Sequence, residues 1–357
     1  MRKPYSVLVI GMGKRGKHHA CAFAANPAFK VVGICDIDEK RLADAKAQLG
    51  GAVETSTDAA ALTAALKPDV FCFCTMPHLR LPFVELAVKN GAKLVAFEKP
   101  VADSSAAGMK LRDMIRASGV KAVVSHQHRY GPHYRKVKEF ASSGALGKIH
   151  TIYASSPGWM MHMISHLIDY MRWYNGEAEA QWVMAQAAGG GKLSDNHPSP
   201  DYIAGFIQFA NGVRGIVESG AGAPDIPEVA KWWGRNRIRV MGDGGFAEVL
   251  TNGGWRAVTA AGVQTGEGAM NYDADMPPYI QDMADWLDDD AKTHPCNFES
   301  AYKGFEIMMG LCRSAAQGGQ TAIPLTEPAI ELSLLKQAVG GKPVLLSSPA
   351  HAKEFGV

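Results

Sequence analysis

Along the first 120 residues, short apolar runs alternate with amphipathic stretches. Runs such as SVLVIG and DVFCFCT are continuously hydrophobic, which is typical of parallel strands that are covered on both faces. The stretches between them, including KRGKHHACAFAAN and DEKRLADAKAQLG, are amphipathic and predict helices. The alternation therefore predicts a doubly wound α/β domain with a parallel sheet over residues 1–124.

After residue 124 the pattern changes, because several strand-like runs follow one another without helices between them. YIAGFIQFANGVRGIVES contains Asn-Gly between two apolar runs, which is a hairpin signal. Helices are predicted at YGPHYRKVKEFASSGALG, HMISHLIDYMRWYNG and SAYKGFEIMMGLCRSAAQGG. We expect residues 125–357 to form an α/β domain with a mostly antiparallel sheet, whose C-terminal helices pack back on the first domain.

Composition excludes several classes of function. With 37 basic and 35 acidic residues the formal net charge is +2, and no basic tail or stripe suggests a nucleic-acid partner. We expect no membrane span, because no apolar run reaches about 18 residues. The first apolar run is also too short for a signal peptide. Cys72 and Cys74 share one strand face and, with no metal or disulfide spacing, are expected to be small core residues in a reducing, cytoplasmic setting.

A glycine turn follows the first predicted strand and opens the first helix. Its pattern is Gly11-x-Gly13-x-x-Gly16, and a second strand ends at Asp36, 20 residues after Gly16. Gly11 permits the tight turn, Gly13 lets a pyrophosphate approach the backbone, and Gly16 lets helix and strand pack closely. A carboxylate at Asp36 would accept hydrogen bonds from ribose hydroxyls and repel a 2′-phosphate. The turn therefore predicts a dinucleotide site that favours NAD over NADP.

The stretch VAFEKPVAD ends another predicted strand with Glu98-Lys99-Pro100. Open α/β sheets bind ligands at the carboxyl ends of their strands. A lysine is most often a surface charge, but Lys99 follows an apolar strand directly, at a place that the cofactor would cover.

Five stretches together resemble the Gfo/Idh/MocA oxidoreductase family over roughly the whole chain: GMGKRGKHH, Cys35-Asp36, CTMPHLRLPFVELAVKNGAKLVAFEKP, HQHRYGPHYRKVKEFASSGALGKI and SHLIDYMRWYNG. The resemblance implies a Rossmann domain, a second domain with a large open sheet for substrate binding and oligomerisation, and a homodimer or homotetramer. It also implies a nicotinamide cofactor and a sugar, polyol or related cyclic alcohol as substrate. In this family the EKP lysine lies beside the reacting hydroxyl and the Lys–Pro peptide is often cis, which carries over to Lys99 and Pro100.

The stretch HMISHLID places His162, His166 and Asp169 on one face of a helix. By resemblance His166 is the acid/base residue and Asp169 the acidic residue that often follows it. His162 stands where the family usually has an aspartate, and Arg80 replaces a histidine of another family motif. We expect Lys99, His166, His162 and Asp169 to be catalytic: His166 takes the hydroxyl proton, Lys99 stabilises the alkoxide, and Asp169 or His162 tunes His166.

Other interpretations of this helix remain open. His162, His166 and Asp169, with Asp201, could hold a divalent metal, or the histidines could be structural. At the level of function, the chain could cleave glycosides with a retained NAD by transient oxidation, or be a sensor that binds dinucleotide and sugar without catalysis.

The cofactor site is expected to include more than the glycine turn. Lys14 and Arg15 lie in the turn and help the pyrophosphate or are solvated surface charges. In SHQHRY a continuing strand would place His126 and His128 on one face, and either Gln127 or His128 beside the nicotinamide. The full predicted set is Gly11, Met12, Gly13, Lys14, Arg15, Gly16, Asp36, Thr75, Met76, His78, Glu98, Lys99 and Gln127, with no metal.

Overall fold

The computed structural model describes residues 3–193, 198–224, 226–229 and 234–342. The chain divides into two compact units. The first comprises Met1–Asp103, Ala107–Tyr130 and Asn271–Ala301, and the second comprises Ser104–Ala106, Gly131–Met270 and Tyr302–Val357. The first unit therefore includes a segment that the sequence-based boundary after residue 124 assigned to the second domain.

In chain order the described elements are β1 (Tyr5–Ile10), α1 (Lys14–Ala25), β2 (Phe29–Cys35), α2 (Glu39–Gln48), β3 (Glu54–Ser56), α3 (Ala59–Leu66), β4 (Val70–Phe73), α4 (Arg80–Lys89), β5 (Leu94–Glu98), α5 (Ser105–Ser118), β6 (Lys121–Ser125), α6 (Pro132–Ser142), β7 (Ile149–Ser156), α7 (Met160–Tyr174), β8 (Ala180–Ala188), β9 (Tyr202–Phe209), β10 (Arg214–Gly220), β11 (Arg237–Gly242), β12 (Gly245–Leu250), β13 (Gly254–Thr259), β14 (Gly262–Gly266), α8 (Tyr272–Asp288), α9 (Phe298–Gln317), β15 (Gln320–Ala322) and α10 (Glu331–Val339). Short 3-10 helices occupy Pro77–Leu79 and Gln127–Tyr130.

The sheet of the first unit has six parallel strands in the order β3-β2-β1-β4-β5-β6. Its central strands are buried along their whole length, since Val7, Val9, Val70 and Phe71 have no exposed surface. This explains why their sequences are continuously apolar instead of alternating. The prediction of a doubly wound parallel sheet is confirmed.

The register of this sheet aligns the ends of the strands that carry the predicted site. Ile10, the last residue of β1, pairs with Cys35 of β2 and with Phe73 of β4. Phe73 in turn pairs with Phe97 of β5. The glycine turn, Asp36 and the Glu98-Lys99 pair therefore emerge at the same edge of the sheet, as expected for parallel strands.

The sheet of the second unit has nine strands in the order β14-β13-β12-β11-β7-β10-β9-β8-β15. Its strand pairs are antiparallel except β7 with β10. The Asn211-Gly212 hairpin joins β9 to β10, and Gly212 has the positive φ of 86° that this turn requires. On one face of the sheet, the cross-strand neighbours Met184 and Phe206 are 44% and 50% exposed. The prediction of a mostly antiparallel sheet is confirmed.

Among the described residues, no helix has the length and apolar character needed to cross a bilayer.

The extended strand predicted over SHQHRY is wrong. β6 ends at Ser125, and Gln127–Tyr130 form a 3-10 helix, so His126 and His128 do not share a strand face. The buried side chains of this turn find polar partners: His128 Nδ1 lies 3.1 Å from Asp275 Oδ2, and Gln127 Oε1 accepts a hydrogen bond from Ser125 Oγ at 3.0 Å. The free energy gained by pairing these buried polar groups outweighs the preference of the sequence pattern for a strand, because a buried polar group without a partner is destabilising.

We predict that Asp69 stabilises the first unit in a pH-dependent way. Its Oδ2 accepts hydrogen bonds from Ser6 N (2.9 Å) and Ser6 Oγ (2.8 Å), and its Oδ1 lies 2.8 Å from Lys93 Nζ. Burial raises the pKa of Asp69, but the bonds from Lys93 and Ser6 outweigh it and lower the pKa below its usual value. This stabilisation is present above the unfolded-state pKa and is lost as the pH falls through the lower folded-state pKa.

Replacing Asp69→Asn should therefore cost about 1–2 kcal/mol of unfolding free energy at pH 7. The difference from the wild type should shrink below about pH 4, measured by denaturant unfolding. The control is Asp113→Asn, because Asp113 forms a solvent-exposed pair with Arg112 and should leave the unfolding midpoint unchanged. A deficit that stays constant with pH would contradict the assignment.

Candidate active site

The three glycines of the turn have different steric roles. A Cβ on Gly11 would lie 2.6 Å from the Cys74 carbonyl oxygen, and a Cβ on Gly16 would lie 1.7 Å from the Gly11 oxygen. Gly11 also has φ +86°, so both positions need glycine for the fold itself. A Cβ on Gly13 would meet nothing within 4 Å. The open space above Gly13, at the start of α1, fits the approach of a pyrophosphate to the helix N-terminus.

Asp36 follows β2 and is 7% exposed. Its Oδ2 accepts a hydrogen bond from Met12 N of the glycine turn, and its Oδ1 accepts one from Asp38 N at 2.9 Å. The carboxylate is thereby held against the turn by two backbone amides. Ile37 beside it is 90% exposed. A carboxylate fixed here fits the hydroxyls of an adenosine ribose, as the sequence predicted.

Arg15 is bonded inside the first unit, so it is not a free surface charge. Its Nε donates to Glu98 Oε1 at 2.9 Å, and its guanidinium lies 4.1 Å above the ring of Tyr272. Glu98 Oε1 also lies 3.2 Å from His19 Nε2. Arg15 and His19 are four residues apart on α1, so both face the end of β5. The role of Lys14 at the pyrophosphate stays a prediction.

The Glu98 carboxyl has a lowered pKa. Burial raises its pKa, but the charge of Arg15 and the hydrogen bond from His19 reverse this and hold the pKa of Glu98 well below its usual value. Glu98 was predicted to contact the cofactor. In the structure its Oε1 contacts Arg15 and His19, and these contacts link α1 to the end of β5. His19 was missed, although its spacing from Arg15 on the amphipathic helix was visible in the sequence.

Lys99 follows β5 directly, and the Lys99–Pro100 peptide is cis, as the resemblance implied. The side chain is partly buried. Burial lowers the pKa of Lys99, and the charges of Arg15 and Arg80 lower it further against the opposing charge of Glu98. A lysine with a lowered pKa can exchange a proton near neutral pH more readily than a surface lysine.

Arg80 holds the backbone around this lysine. It is the first residue of α4 and is 1% exposed. Its guanidinium donates to the carbonyl oxygens of Thr75 (2.7 Å), Pro100 (3.3 Å) and Lys99 (3.4 Å), and burial lowers its pKa to about 10. The sequence analysis noted Arg80 only as a departure from a family motif. The structure shows that it fixes the turns after β4 and β5 together.

The remaining predicted residues of the turn after β4 differ in exposure. Thr75 and Met76 are half-buried, and His78 lies exposed in the 3-10 helix Pro77–Leu79. Their contact with the cofactor stays a prediction, as does that of Gln127.

The second unit carries the other half of the predicted set on α7. His162 and His166 are half-buried, whereas Asp169 is 2% exposed. His166 Nδ1 lies 3.1 Å from the hydroxyl of Tyr170, and the two rings are stacked with centroids 5.7 Å apart. The sequence analysis missed Tyr170, although the i,i+4 spacing from His166 predicts that their side chains meet.

The metal alternative for α7 gains no support in the described residues. His162, His166, Asp169 and Asp201 do not supply three ligand atoms that all lie within 4.8 Å of one another. A first-row metal needs ligand atoms closer than that, at about 2.0–2.3 Å from a common centre.

Comparison with known proteins supports an oxidoreductase. A family model described as "Oxidoreductase family, NAD-binding Rossmann fold" matches residues 5–126, and one described as "GFO/IDH/MocA C-terminal domain" matches residues 153–248. The chain is 26% identical to D-glucoside 3-dehydrogenase of Escherichia coli over 163 residues, 44% of this chain and 46% of that enzyme. It is 23% identical to inositol 2-dehydrogenase of Rhizobium meliloti over 225 residues, 59% of this chain and 67% of that enzyme.

A solved structure shares the fold. The oxidoreductase from Agrobacterium radiobacter in complex with NAD+, L-tartaric acid and magnesium superposes with a TM-score of 0.77 at 18% identity, covering 90% of this chain and 99% of that one. With the family models, this likeness shows that the glycine turn belongs to an NAD-binding Rossmann fold.

We predict that Gly13→Ala and Gly16→Ala fail in different ways. At Gly13 the methyl group enters open space, so the unfolding temperature should be preserved while the Kd for NAD rises at least about tenfold through collision with the pyrophosphate. At Gly16 the methyl group meets the Gly11 oxygen, so the unfolding temperature itself should fall. Thermal unfolding with and without NAD, with titration calorimetry, separates the two. Unchanged NAD affinity in Gly13→Ala would contradict the placement of the pyrophosphate.

Proposed function

We propose that this chain, which belongs to the GFO/IDH/MocA family of NAD-binding oxidoreductases, oxidises a secondary hydroxyl of a sugar, polyol or related cyclic alcohol. Its relatives D-glucoside 3-dehydrogenase and inositol 2-dehydrogenase support this class of substrate. The observation that carries the proposal is Lys99 at the end of β5, on the same sheet edge as the glycine turn and Asp36.

NAD supplies the hydride acceptor, at the nicotinamide C4. The protein then has to remove the hydroxyl proton and stabilise the negative charge on the alcohol oxygen. We assign the second task to Lys99, whose ammonium donates a hydrogen bond to the developing alkoxide. Its lowered pKa makes the ammonium a stronger hydrogen-bond donor, and the hydrogen bond from Arg80 to the Lys99 carbonyl oxygen fixes the backbone that carries it.

We assign proton removal to His166. Its Nδ1 faces the Tyr170 hydroxyl, and we infer the tautomer in which Nδ1–H donates to that oxygen and the Nε2 lone pair acts as the base. Stacking on Tyr170, which is 1% exposed, fixes the plane of the imidazole. His162 and Asp169 would then adjust the orientation and charge of His166 from the same helix.

The cofactor is bound, in this proposal, by the turn Gly11–Gly16 at the pyrophosphate and by Asp36 at the adenosine ribose. Ile37, almost fully exposed beside Asp36, would cover the adenine ring. We expect NAD to be preferred over NADP, because the buried Asp36 carboxylate would repel a 2′-phosphate.

Lys99→Met tests the role of the lysine. The change removes the ammonium but keeps an unbranched side chain, so we expect kcat to fall at least about a hundredfold while the Kd for NAD is nearly unchanged. Lys89→Met on the exposed surface of α4 is the matched control and should retain wild-type kcat. Steady-state kinetics and calorimetry measure both quantities. If Lys99→Met keeps full activity, the catalytic assignment fails.

A substrate screen distinguishes the candidate functions. Polyols, sugars and glycosides are each incubated with NAD or NADP, and NADH absorbance and product are followed together. A dehydrogenase makes NADH in proportion to product. An enzyme that cleaves glycosides with a retained NAD releases the aglycone without net NADH, and a non-catalytic sensor binds without forming product. Product without NADH, or binding alone, would overturn the proposal.

A further inference from the structure

Three side chains of the first unit lie together beneath the glycine turn and have no part in the proposed reaction. His19 on α1, Cys72 in β4 and Cys74 just after β4 each offer a ligand atom, and these atoms all lie within 4.8 Å of one another. Cys72 and Cys74 are two residues apart along extended chain, so their side chains point to the same face. His19 and Cys72 have no exposed surface, whereas Cys74 is partly exposed.

The hydrogen bonding of His19 is that of a metal ligand. Its Nε2 lies 3.2 Å from Glu98 Oε1. In the tautomer whose Nε2–H donates to this oxygen, Nδ1 is an acceptor. Within the described parts of the chain it is buried and has no hydrogen-bond partner. A histidine that ligates a metal typically donates its second ring N–H to a carboxylate in this way.

If His19 only packed in the apolar core, its buried Nδ1 would be left without an explanation. A buried acceptor without a partner costs on the order of 1–3 kcal/mol. The Sγ atoms of Cys72 and Cys74 both lie within 4.8 Å of a ring nitrogen of His19. Thiolate and imidazole together are ligands for a soft d10 cation, in preference to magnesium or calcium.

We propose that His19, Cys72 and Cys74 form a binding site for a thiophilic divalent cation of the Zn²⁺ class, with a water molecule as the fourth ligand. Around Zn²⁺, with Zn–S about 2.3 Å and Zn–N about 2.0 Å, tetrahedral ligand atoms lie about 3.5–3.8 Å apart. Because the ligand atoms lie within 4.8 Å of one another, no pair needs to approach by more than about 1.3 Å to reach that geometry. Cys74, the exposed member, gives the ion a route in.

Binding is a ligand exchange that balances without oxidation. Each thiol loses its proton to solvent as its sulfur bonds to the ion, so two protons are released per cation. Because protons compete with the ion for the two sulfurs, affinity should increase with pH. The bound ion would tie α1 to β4 near Gly11, where an added Cβ would lie 2.6 Å from the Cys74 carbonyl oxygen, and should stabilise the first unit.

The experiment uses the full chain after chelator treatment, titrated with Zn²⁺ and separately with Co²⁺ as a spectroscopic probe. We expect one Zn²⁺ per chain, release of two protons, a rise in unfolding temperature, and a thiolate-to-cobalt charge-transfer absorption. Cys72→Ala, Cys74→Ser and His19→Gln should each weaken binding at least about a hundredfold. Cys21→Ala, a half-buried cysteine on the same helix as His19, is the matched control and should bind as the wild type.

Two results would overturn the site: no stoichiometric binding, or binding whose cobalt spectrum lacks the thiolate band or survives the loss of Cys72 and Cys74. Circular dichroism of each apo variant checks that it is folded. If His19→Gln does not fold, Cys74→Ser decides, because Cys74 is partly exposed and serine keeps its size. Dehydrogenase activity is measured separately, so failure of the metal site leaves the proposed function standing.

Discussion

The site of the first unit depends on one partly buried carboxylate. Glu98 ends β5, and its Oε1 accepts from Arg15 at 2.9 Å and faces His19 Nε2 at 3.2 Å. This ties the helix that begins at the glycine turn to the strand that presents Lys99. Removing either partner would leave the other, partly buried charge without compensation. The pair therefore holds the helix after the glycine turn against the strand that leads to Lys99.

A second set of hydrogen bonds holds the backbone around Lys99. Arg80 donates to the carbonyl oxygens of Thr75, Lys99 and Pro100, so the turns after β4 and β5 are held by a single guanidinium. Arg15, Arg80 and Lys99 bring three cationic side chains to this edge of the sheet, with Glu98 as counter-charge. Burial and the positive charges of Arg15 and Arg80 lower the pKa of Lys99.

Much of the fold and part of the site were predictable from local rules. Continuous apolar strands between amphipathic helices predicted the parallel sheet of the first unit. Asn211-Gly212 predicted the hairpin between β9 and β10 in the second unit. The glycine spacing, Asp36 after the second strand and Lys99 after the fifth were visible because strand ends of a parallel sheet share an edge. The exposed side of the second sheet, with Met184 and Phe206, agrees with the expected oligomer, which stays a prediction.

The sequence by itself determined the alternation of strands and helices, the three glycines and the chemical types of the candidate residues, since each follows from neighbours a few positions away. Only the tertiary structure decided the partners: Glu98 with Arg15, 83 residues apart, Arg80 with Pro100, and Cys72 and Cys74 with His19. It also decided that Gln127–Tyr130 turn instead of extending, because α8 supplies Asp275 to His128. Such pairings depend on which elements meet in space, and burial makes them energetically decisive only once the chain has folded.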